Sequence, residues 1–305
     1  MKMNSSGRAA LPILVGQSCR SAPFSPSASA ARLTESGCDN LKARTSLRSF
    51  WRKFGRRGSA ALPLLAAIVL FFAVGAMAET TNTLSDAEIQ GCQLAQKILM
   101  QKPAEDSEFN GTLEIHSAQG KEKFLLSTKA VLFNDTWETI YFATPYGVQR
   151  LTVIHSTNQP NKYIFQYTIA PPISALSGGN ISVAEATTNS FAGSDFSLTD
   201  LGLEFFHWPA QKILKKEVKR SRGCSVLEST NPNPTTNGYS RVVSWIDEES
   251  GGIVQAEAYD FNGKLLKEFA PKSFKKVNGQ WELQEMEIRN VQTGSRTRLE
   301  FDLKK

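Results

Sequence analysis

Residues 239–303, YSRVVSWIDEESGGIVQAEAYDFNGKLLKEFAPKSFKKVNGQWELQEMEIRNVQTGSRTRLEFDL, decide the fold. They predict a series of antiparallel strands joined by tight turns. In the last strand apolar residues alternate with charged ones, and this period of two means that one face is buried and the other is solvated. The predicted strands are Tyr239–Asp247, Ile253–Phe261, Lys264–Val277, Trp281–Val291 and Arg296–Leu303.

Two Asn-Gly pairs mark hairpins in this stretch, at Asn262-Gly263 and Asn278-Gly279. Asn-Gly is the strongest short hairpin signal because both residues accept the positive φ of a type I′ turn. The pattern predicts a large antiparallel sheet with one apolar face, and that face has to be covered. We expect helices to cover one part of it and a lipid to cover another.

Residues 1–78 have the features of a targeting segment. Four basic residues lie within 52–57, the uncharged apolar run 60–73 follows, and Ala76-Met77-Ala78 fits the small-x-small cleavage pattern. The run is short for a membrane-spanning helix, which needs about 20 residues. The sequence predicts an N-terminal extension plus signal peptide over 1–78, cleavage after Ala78, and one domain over 79–305. The alternative is an uncleaved N-terminal anchor.

The net charge of +6 belongs to this targeting segment. Eleven of the 35 Lys and Arg, but two of the 29 Asp and Glu, lie in residues 1–78. Residues 79–305 therefore hold 24 basic and 27 acidic residues, a net charge of about −3. Basic surface is the electrostatic signature of nucleic-acid binding, so we expect no nucleic-acid partner.

Cys92 and Cys224 are the two cysteines of the predicted domain. After export they would lie in an oxidising compartment, where a disulfide between them can form. Equally, both can serve as small buried apolar residues. The sequence leaves both interpretations open. No cysteine follows the predicted cleavage site, so no lipid anchor is predicted.

A helix is predicted at the start of the domain. Ser85-Asp86-Ala87-Glu88 is a capping box, in which the Ser and Glu side chains each bind a backbone amide of the first turn. The helix should run from about Asp86 to Met100, and Pro103 stops it. It should cover part of the sheet with its apolar face. That face consists of Ile89, Cys92, Ala95, Ile98 and Leu99.

Further strands are predicted between this helix and residue 230. They are Gly111–Ser117, Lys123–Phe133, Trp137–Thr144, Gln149–Ser156, Tyr163–Ile169, Ile213–Arg222 and Ser225–Ser229. The strand Ile213–Arg222 carries five basic residues. A solvated face, or lysines that guard an edge strand, explains them, and docking to anionic lipid headgroups is the alternative.

The segment Ile173–Ser194 is rich in small and polar residues and is predicted to be a long loop, which in a compact domain is usually functional or mobile. After it, Ser194–Leu201 predicts a short helix. The apolar face of this region consists of Leu198, Leu201, Phe205 and Phe206.

Catalytic and metal-binding motifs are missing from the sequence. His116, His155 and His207 have no partners at ligand spacing, and there is no CxxC, HExxH, P-loop or GxGxxG. We therefore predict no metal site, no cofactor and no enzymatic activity. The aromatic residues on the strands fit either a plain β core or the wall of an apolar cavity.

The order of several sequence blocks resembles the outer-membrane lipoprotein-sorting proteins of the LolA-like (LolA/LolB) superfamily, over nearly all of residues 79–305. The blocks are Ser194–Leu201, Gly223–Ser229, Tyr239–Asp247, Glu257–Asp260 with Gly263-Lys264, and Gly279-Gln280-Trp281. The resemblance implies a mostly-β α+β fold. It would be a curved antiparallel sheet, an unclosed β-barrel, covered by an N-terminal helix and a short helical lid.

The resemblance also implies a function. A monomeric, non-enzymatic periplasmic carrier would bind lipoprotein acyl chains or other lipid in an apolar cavity and help to sort lipoproteins to the outer membrane. It would make transient contact with the membrane or with transport machinery, and association with the outer membrane is an alternative location. The same fold serves in RseB-like envelope-stress sensors, which bind partner proteins, and this is the alternative function.

We expect the covering segments to leave apolar space for a hydrocarbon chain. The candidate cavity and lid residues are Phe165, Tyr167, Phe196, Leu198, Leu201, Phe205, Phe206, Trp208, Trp245 and Tyr259.

Overall fold

The computed structural model describes residues 84–145, 147–156, 159–168, 177–277 and 280–303. The predicted signal peptide, its cleavage site and the start of the domain lie outside these residues and stay predictions. Within the described part of the chain, no helix is both long enough and apolar enough to cross a membrane.

The described residues form one antiparallel sheet of 13 strands. The strands are β1 (Ser107–Ser117), β2 (Gly120–Leu132), β3 (Thr136–Ala143), β4 (Gln149–Ser156), β5 (Gln159–Tyr167), β6 (Ser177–Ile181), β7 (Ala210–Lys219), β8 (Arg222–Thr230), β9 (Arg241–Asp247), β10 (Ile253–Tyr259), β11 (Leu265–Val277), β12 (Gln280–Asn290) and β13 (Arg296–Phe301). Strands that are adjacent in the sheet are also consecutive along the chain, except for β1 and β13, which pair in the middle of the sheet.

Strands β6 and β7 are the two edges, and the sheet does not close into a barrel. The predicted mostly-β fold with a curved antiparallel sheet and few helices is confirmed. The basic strand β7 is an edge strand, and its Lys212, Lys215 and Lys216 are exposed. This is the arrangement in which lysines discourage the pairing of an open edge with another chain.

The Asn262-Gly263 turn differs from the predicted type I′ geometry. Gly263 has a φ of 74°, whereas Asn262 is not among the residues with positive φ. The Asp260 carboxylate accepts from the backbone N–H groups of Asn262 and Lys264, each at 2.9 Å. The result is a longer hairpin loop with one left-handed glycine. The prediction was wrong because it left out Asp260, and Asn278-Gly279 lies outside the described residues.

Helix α1 (Asp86–Leu99) begins where the capping box predicts. The Glu88 carboxylate accepts from the backbone N–H of Ser85 at 2.7 Å. The buried stripe includes Cys92, Ala95 and Ile98, as predicted.

Ile89, however, is 41% exposed, so its place in the predicted apolar face of α1 is wrong. The helix meets β7 at Gly91, where a Cβ atom would lie 2.6 Å from the carbonyl carbon of Gln211. This close approach turns the buried stripe toward Gly91 and leaves Ile89 at its solvent side.

The segment predicted to be one long loop contains regular structure. Strand β6 pairs with β5, and helix α2 (Val183–Thr188) follows. The prediction is therefore wrong for residues 177–188. Gly178 and Gly179 give β6 no apolar alternation, so a pattern search passes over it. Helix α3 (Leu198–Leu201) and a 3₁₀ turn (Glu204–His207) complete this part of the chain.

The core lies mainly on one face of the sheet, the inner face, which the helices cover. One cluster there joins Leu113 and Leu299 of the central strands to Phe191 and Leu198. A second cluster on the same face joins α1 and Phe206 to strands β8–β10. A smaller cluster, Cys224, Val226, Val243 and Trp245, lies at alternate strand positions and therefore on the opposite, outer face.

Gly111 is a point of close contact between the central strands. A Cβ atom there would clash with the Glu300 carbonyl oxygen and would lie 3.1 Å from the Phe301 Cα, both in the backbone of β13. We expect Gly111→Ala to push β1 away from β13 and to lower the free energy of unfolding by about 1–3 kcal/mol. Urea unfolding measures this change.

The matched control is Gly223→Ala in β8, where a new Cβ atom would meet no neighbour within 4 Å. It should change the free energy of unfolding by less than about 0.5 kcal/mol. Equal losses in the two variants would contradict the tight contact at Gly111.

Candidate functional site

Residues 183–208, which we call the lid, pack on the inner face of the sheet. The lid contains α2, α3 and the 3₁₀ turn. Phe191, Phe196, Leu198 and Leu201 of the lid are buried in the same cluster as the central strands. The lid therefore serves as the apolar cover that the inner face requires.

Short-range hydrogen bonds fix the shape of the lid. The Ser197 Oγ accepts from the Asp200 N–H at 3.2 Å, and the Asp200 carboxylate accepts from the Ser197 N–H at 2.8 Å, which is a capping box at the start of α3. Ser182 and Glu185 form the same box at α2. Leu203, with a φ of 48°, makes the left-handed turn that leads into the 3₁₀ turn.

Asp200 also ties the lid to the sheet. The Tyr239 hydroxyl donates to its two carboxylate oxygens at 2.9 and 3.0 Å, and the Lys267 ammonium lies 3.2 Å from Oδ2. Burial alone lowers the pKa of Lys267, but the charge of Asp200 and the contacts with Asp200 and Tyr239 together outweigh burial and raise it. Lys267 therefore keeps its positive charge beneath the lid.

A second carboxylate, that of Asp195, fastens the lid beside β13. It accepts from the Ser295 hydroxyl at 2.5 Å and from the Thr297 hydroxyl at 2.8 Å. The backbone N–H of Asp195 donates to the same Thr297 oxygen at 2.9 Å. The Asp195 carbonyl in turn accepts from the Lys267 ammonium at 2.7 Å.

Glu204 is a buried carboxyl group at the far end of the lid. It accepts from the Tyr163 hydroxyl of β5 at 2.8 Å. Burial raises its pKa to about 7, although hydrogen bonds from Tyr163 and Asn161 act in the opposite direction. Glu204 is thus partly protonated at neutral pH, which limits the cost of burying its charge.

Backbone carbonyls of the lid complete these contacts. The Asn161 amide donates to the Gly202 carbonyl at 2.7 Å, and the Tyr141 hydroxyl donates to the Leu201 carbonyl at 3.3 Å. The Gln211 amide of β7 donates to the carbonyls of Phe205 and Trp208, both at 2.9 Å. The sheet therefore holds the part of the lid from Asp195 to Trp208.

An apolar cavity of about 50 Å³ remains between the lid and the inner face. Its lining includes Phe196, Leu201 and Phe205 of the lid, Ala256 and Ala258 of β10, Met286 of β12, and the Asp200–Lys267 pair. Pockets for small molecules usually measure about 300–1,000 Å³. The expectation of free space for a hydrocarbon chain is therefore wrong for this closed arrangement, because side chains of the lid fill that space.

Two other cavities border the lid. One of about 210 Å³ lies among Glu204, Phe205, Trp208 and the loop residue Asn233. Another of about 20 Å³ lies at His207, among residues such as Trp137 and Asn161. Both have many polar groups, so the 50 Å³ cavity offers the more apolar lining.

The structure brings together some of the residues predicted for the cavity and the lid. Phe196, Leu201 and Phe205 line the apolar cavity. Leu198 is fully buried in the core beside it. The remaining lid candidates lie at the other two cavities, Phe206 at the 20 Å³ cavity and Trp208 at the 210 Å³ cavity.

Other predicted residues lie elsewhere. Phe165 and Tyr167 of β5 have ring centroids 6.0 Å apart, and Tyr167 is 38% exposed. Trp245 and Tyr259 belong to the outer-face cluster, where Lys219 lies over the Trp245 ring and Arg241 over the Tyr259 ring. Neither Trp245 nor Tyr259 lines a cavity under the lid.

Of the two interpretations of the cysteines, the structure agrees with buried residues. Cys92 and Cys224, both in the described part of the chain, form no disulfide. Cys92 is buried on α1, which packs on the inner face, whereas Cys224 belongs to the outer-face cluster, so the sheet separates them.

Histidines and acidic residues do not assemble a metal site in the described residues. Burial lowers the pKa of His155 to about 3 and that of His207 to about 4, so both are neutral at neutral pH. Within the part of the chain that the structure describes, no group of three or more His, Cys, Asp or Glu side chains could hold a metal ion.

Sequence reasoning missed the polar residues that hold the lid, above all Lys267, Asp200 and Glu204. One signal for Lys267 was present. It lies two positions before Phe269 on β11, so it shares the inward face of that strand, where a charge needs a partner. Ser197 with Asp200 three positions later likewise marks a capping box.

Comparisons with known proteins support this picture of the fold. A protein-family model described as an uncharacterized protein matches residues 174–304. The search of curated proteins by sequence gave no match. Among solved structures, the chain is similar to a domain from Vibrio parahaemolyticus named for outer membrane lipoprotein sorting. The TM-score is 0.58 and the identity 21%, over 71% of this chain and 92% of that one.

Two further structures are similar. A DUF1329 family protein from Desulfovibrio piger has a TM-score of 0.58 at 19% identity, over 72% of this chain and 92% of that one. A LolA superfamily protein from Nitrosomonas europaea has a TM-score of 0.49 at 14% identity, over 72% and 93%. The chain shares the fold of the Vibrio parahaemolyticus and Desulfovibrio piger proteins, and the resemblance stated from the sequence is confirmed at the level of the fold.

Glu204 makes the stability of the closed lid depend on pH. Its pKa is raised from 4.5 to about 7 by folding, so its protonated form stabilises the folded state below pH 4.5. This stabilisation is lost as the pH rises through about 7. Between pH 5 and pH 8 the free energy of unfolding of the wild-type protein should fall by about 2–3 kcal/mol relative to that of Glu204→Gln.

Urea unfolding of both proteins at both pH values measures this difference. The comparison with Glu204→Gln cancels the buried His155 and His207, which act in the opposite direction and destabilise the fold as the pH falls below 6.5. Parallel pH profiles of the two proteins would contradict a raised pKa at Glu204.

Proposed function

We propose that this protein is a non-enzymatic carrier that binds the acyl chains of lipoproteins or other lipid on the inner face of its sheet. The observation that carries the proposal is the apolar cavity between the inner face and the lid. Lid side chains occupy the rest of that space, so an acyl chain enters as the lid moves out.

Burial of an acyl chain can offset the loss of the lid's contacts with the sheet. Each CH₂ group that leaves water contributes about 0.8 kcal/mol to the binding free energy. A long acyl chain therefore offsets the loss of several side-chain contacts. The inner face stays dry in both states because either the lid or the chain covers it. Carriage therefore needs binding and release, with no covalent chemistry.

The location and the partners belong to the same proposal. The predicted signal peptide directs the protein to the periplasm, where a carrier meets acyl chains at the inner and outer membranes. The donor and acceptor would be the membrane surface or transport machinery, contacted transiently by a monomer. The LolA-like fold supports this role, as does the name of the Vibrio parahaemolyticus domain.

A partner-binding sensor of the RseB-like kind remains the alternative function on the same fold. It needs no cavity, so uptake of hydrocarbon separates the two functions.

Uptake of a fluorescent C16 fatty acyl probe by the purified domain tests the proposal. We expect saturable binding, and we expect Ala256→Leu to weaken it several-fold because the larger side chain enters the apolar cavity from β10. Overpacking beside a cavity of about 50 Å³ should cost no more than about 1–3 kcal/mol of stability, and circular dichroism and urea unfolding check that the variant stays folded.

Ala210→Leu is the matched control, since Ala210 is exposed on β7 and borders no cavity described above. It should bind the probe as the wild type does. A folded wild-type protein that takes up no acyl probe would contradict the carrier function and favour the sensor.

A further inference from the structure

Lys267 is a cation on the inner face of the sheet, beside the apolar cavity. It lies on β11 opposite Ala258 of β10, and both residues line that cavity. Its side chain is 13% exposed. An apolar cavity with one cation in its lining is a site of mixed character, suited to a ligand with one charged end.

The sheet directs two hydrogen-bond donors at one point beside this cavity. The Lys267 ammonium and the Tyr239 hydroxyl both reach the Asp200 carboxylate, and the Tyr239 ring also lies 5.3 Å from the ammonium. Lys267 belongs to β11 and Tyr239 lies just before β9, whereas the carboxylate belongs to the lid. The sheet thus holds a site for an anion, and the lid supplies the anion in the closed state.

The neighbouring lid residues fill the rest of the cavity region. Leu201 directly follows Asp200, and Phe196 and Phe205 line the same cavity. A carboxylate followed by apolar groups has the chemistry of a fatty acid. The lid therefore occupies the inner face in the way that an anionic amphiphile would.

Movement of the lid leaves Lys267 without this partner. Within the described residues, Asp200 supplies the one carboxylate in ion-pair contact with the Lys267 ammonium. The Asp195 carbonyl still accepts from it, but a carbonyl does not neutralise the charge. An uncompensated charge at an apolar surface is costly, so a neutral chain that displaces Asp200 would bind with a penalty.

We propose that the ligand of the inner face is an anionic amphiphile, whose carboxylate or phosphate group replaces Asp200 on Lys267 and Tyr239 while its acyl chain replaces the lid side chains. This inference rests on the proposed function and adds the class of ligand. The shared chemistry is one anionic group at the end of a hydrocarbon chain, from a free fatty acid or from a phospholipid.

Titration calorimetry with three C12 compounds tests the proposal, with dodecanoate, dodecyl phosphate and 1-dodecanol used below their aggregation limits. Hydrogen bonds to a charged group favour the anionic compounds by about 10- to 100-fold over the alcohol. We expect at least one of the two anions to show this preference. The tighter of the two identifies the source, dodecanoate for a free fatty acid and dodecyl phosphate for a phospholipid.

Variants distinguish an effect of the Lys267 charge on binding from a loss of folding. Lys267→Met should reduce the ratio of the affinities for the anion and the alcohol to about one. Asp200→Asn should raise the affinity for the anion because it removes the competing carboxylate. The double variant Asp200→Asn with Lys267→Met buries no charge, so it keeps the test valid if Lys267→Met alone fails to fold. Lys272→Met, an exposed lysine of the same strand, is the control and should bind as the wild type does.

The outcomes separate this inference from the proposed function. Equal binding of the alcohol and the two anions would overturn the inference and leave the carrier function standing. A preference for the anions that survives in the double variant would also overturn it. Failure of all three compounds to bind a folded protein would contradict the carrier function and the inference together.

Discussion

The structure depends on one constraint, which is that the inner face of a large open sheet has to be kept from water. A closed barrel or a second sheet would do this permanently. Here the sheet stays open between β6 and β7, and helix α1 covers one part of it. The lid covers the rest with side chains such as Leu198 and Phe196, which a hydrocarbon chain could replace in kind.

Polar contacts decide how firmly the lid is held. Asp195, Asp200 and Glu204 bring carboxyl groups under or beside the lid, where each meets hydroxyl or ammonium donors from the sheet. Burying a polar group is costly unless it is hydrogen-bonded, so these contacts fix the lid in one place. In the proposed carrier, a ligand with matching chemistry would take over these contacts when the lid moves out.

Most of the sheet could be predicted from sequence, because strands such as β13 bury one face and alternate clearly. The candidate site was harder to predict. Strand β9 is buried on both faces, so its pattern does not reveal that Trp245 points away from the cavity. Lys267 acquires its role from Asp200, which lies 67 positions away and meets it only in the folded chain.

Hydrogen exchange of the lid amides, with and without a bound acyl ligand, tests the central claim most directly. If the lid occupies the place of the ligand, then binding should speed exchange in residues 183–208 while strands β9–β13 stay protected. The lid would behave as a displaced unit, and the sheet as a fixed platform. Ligand binding with unchanged or slower exchange throughout the lid would contradict the account.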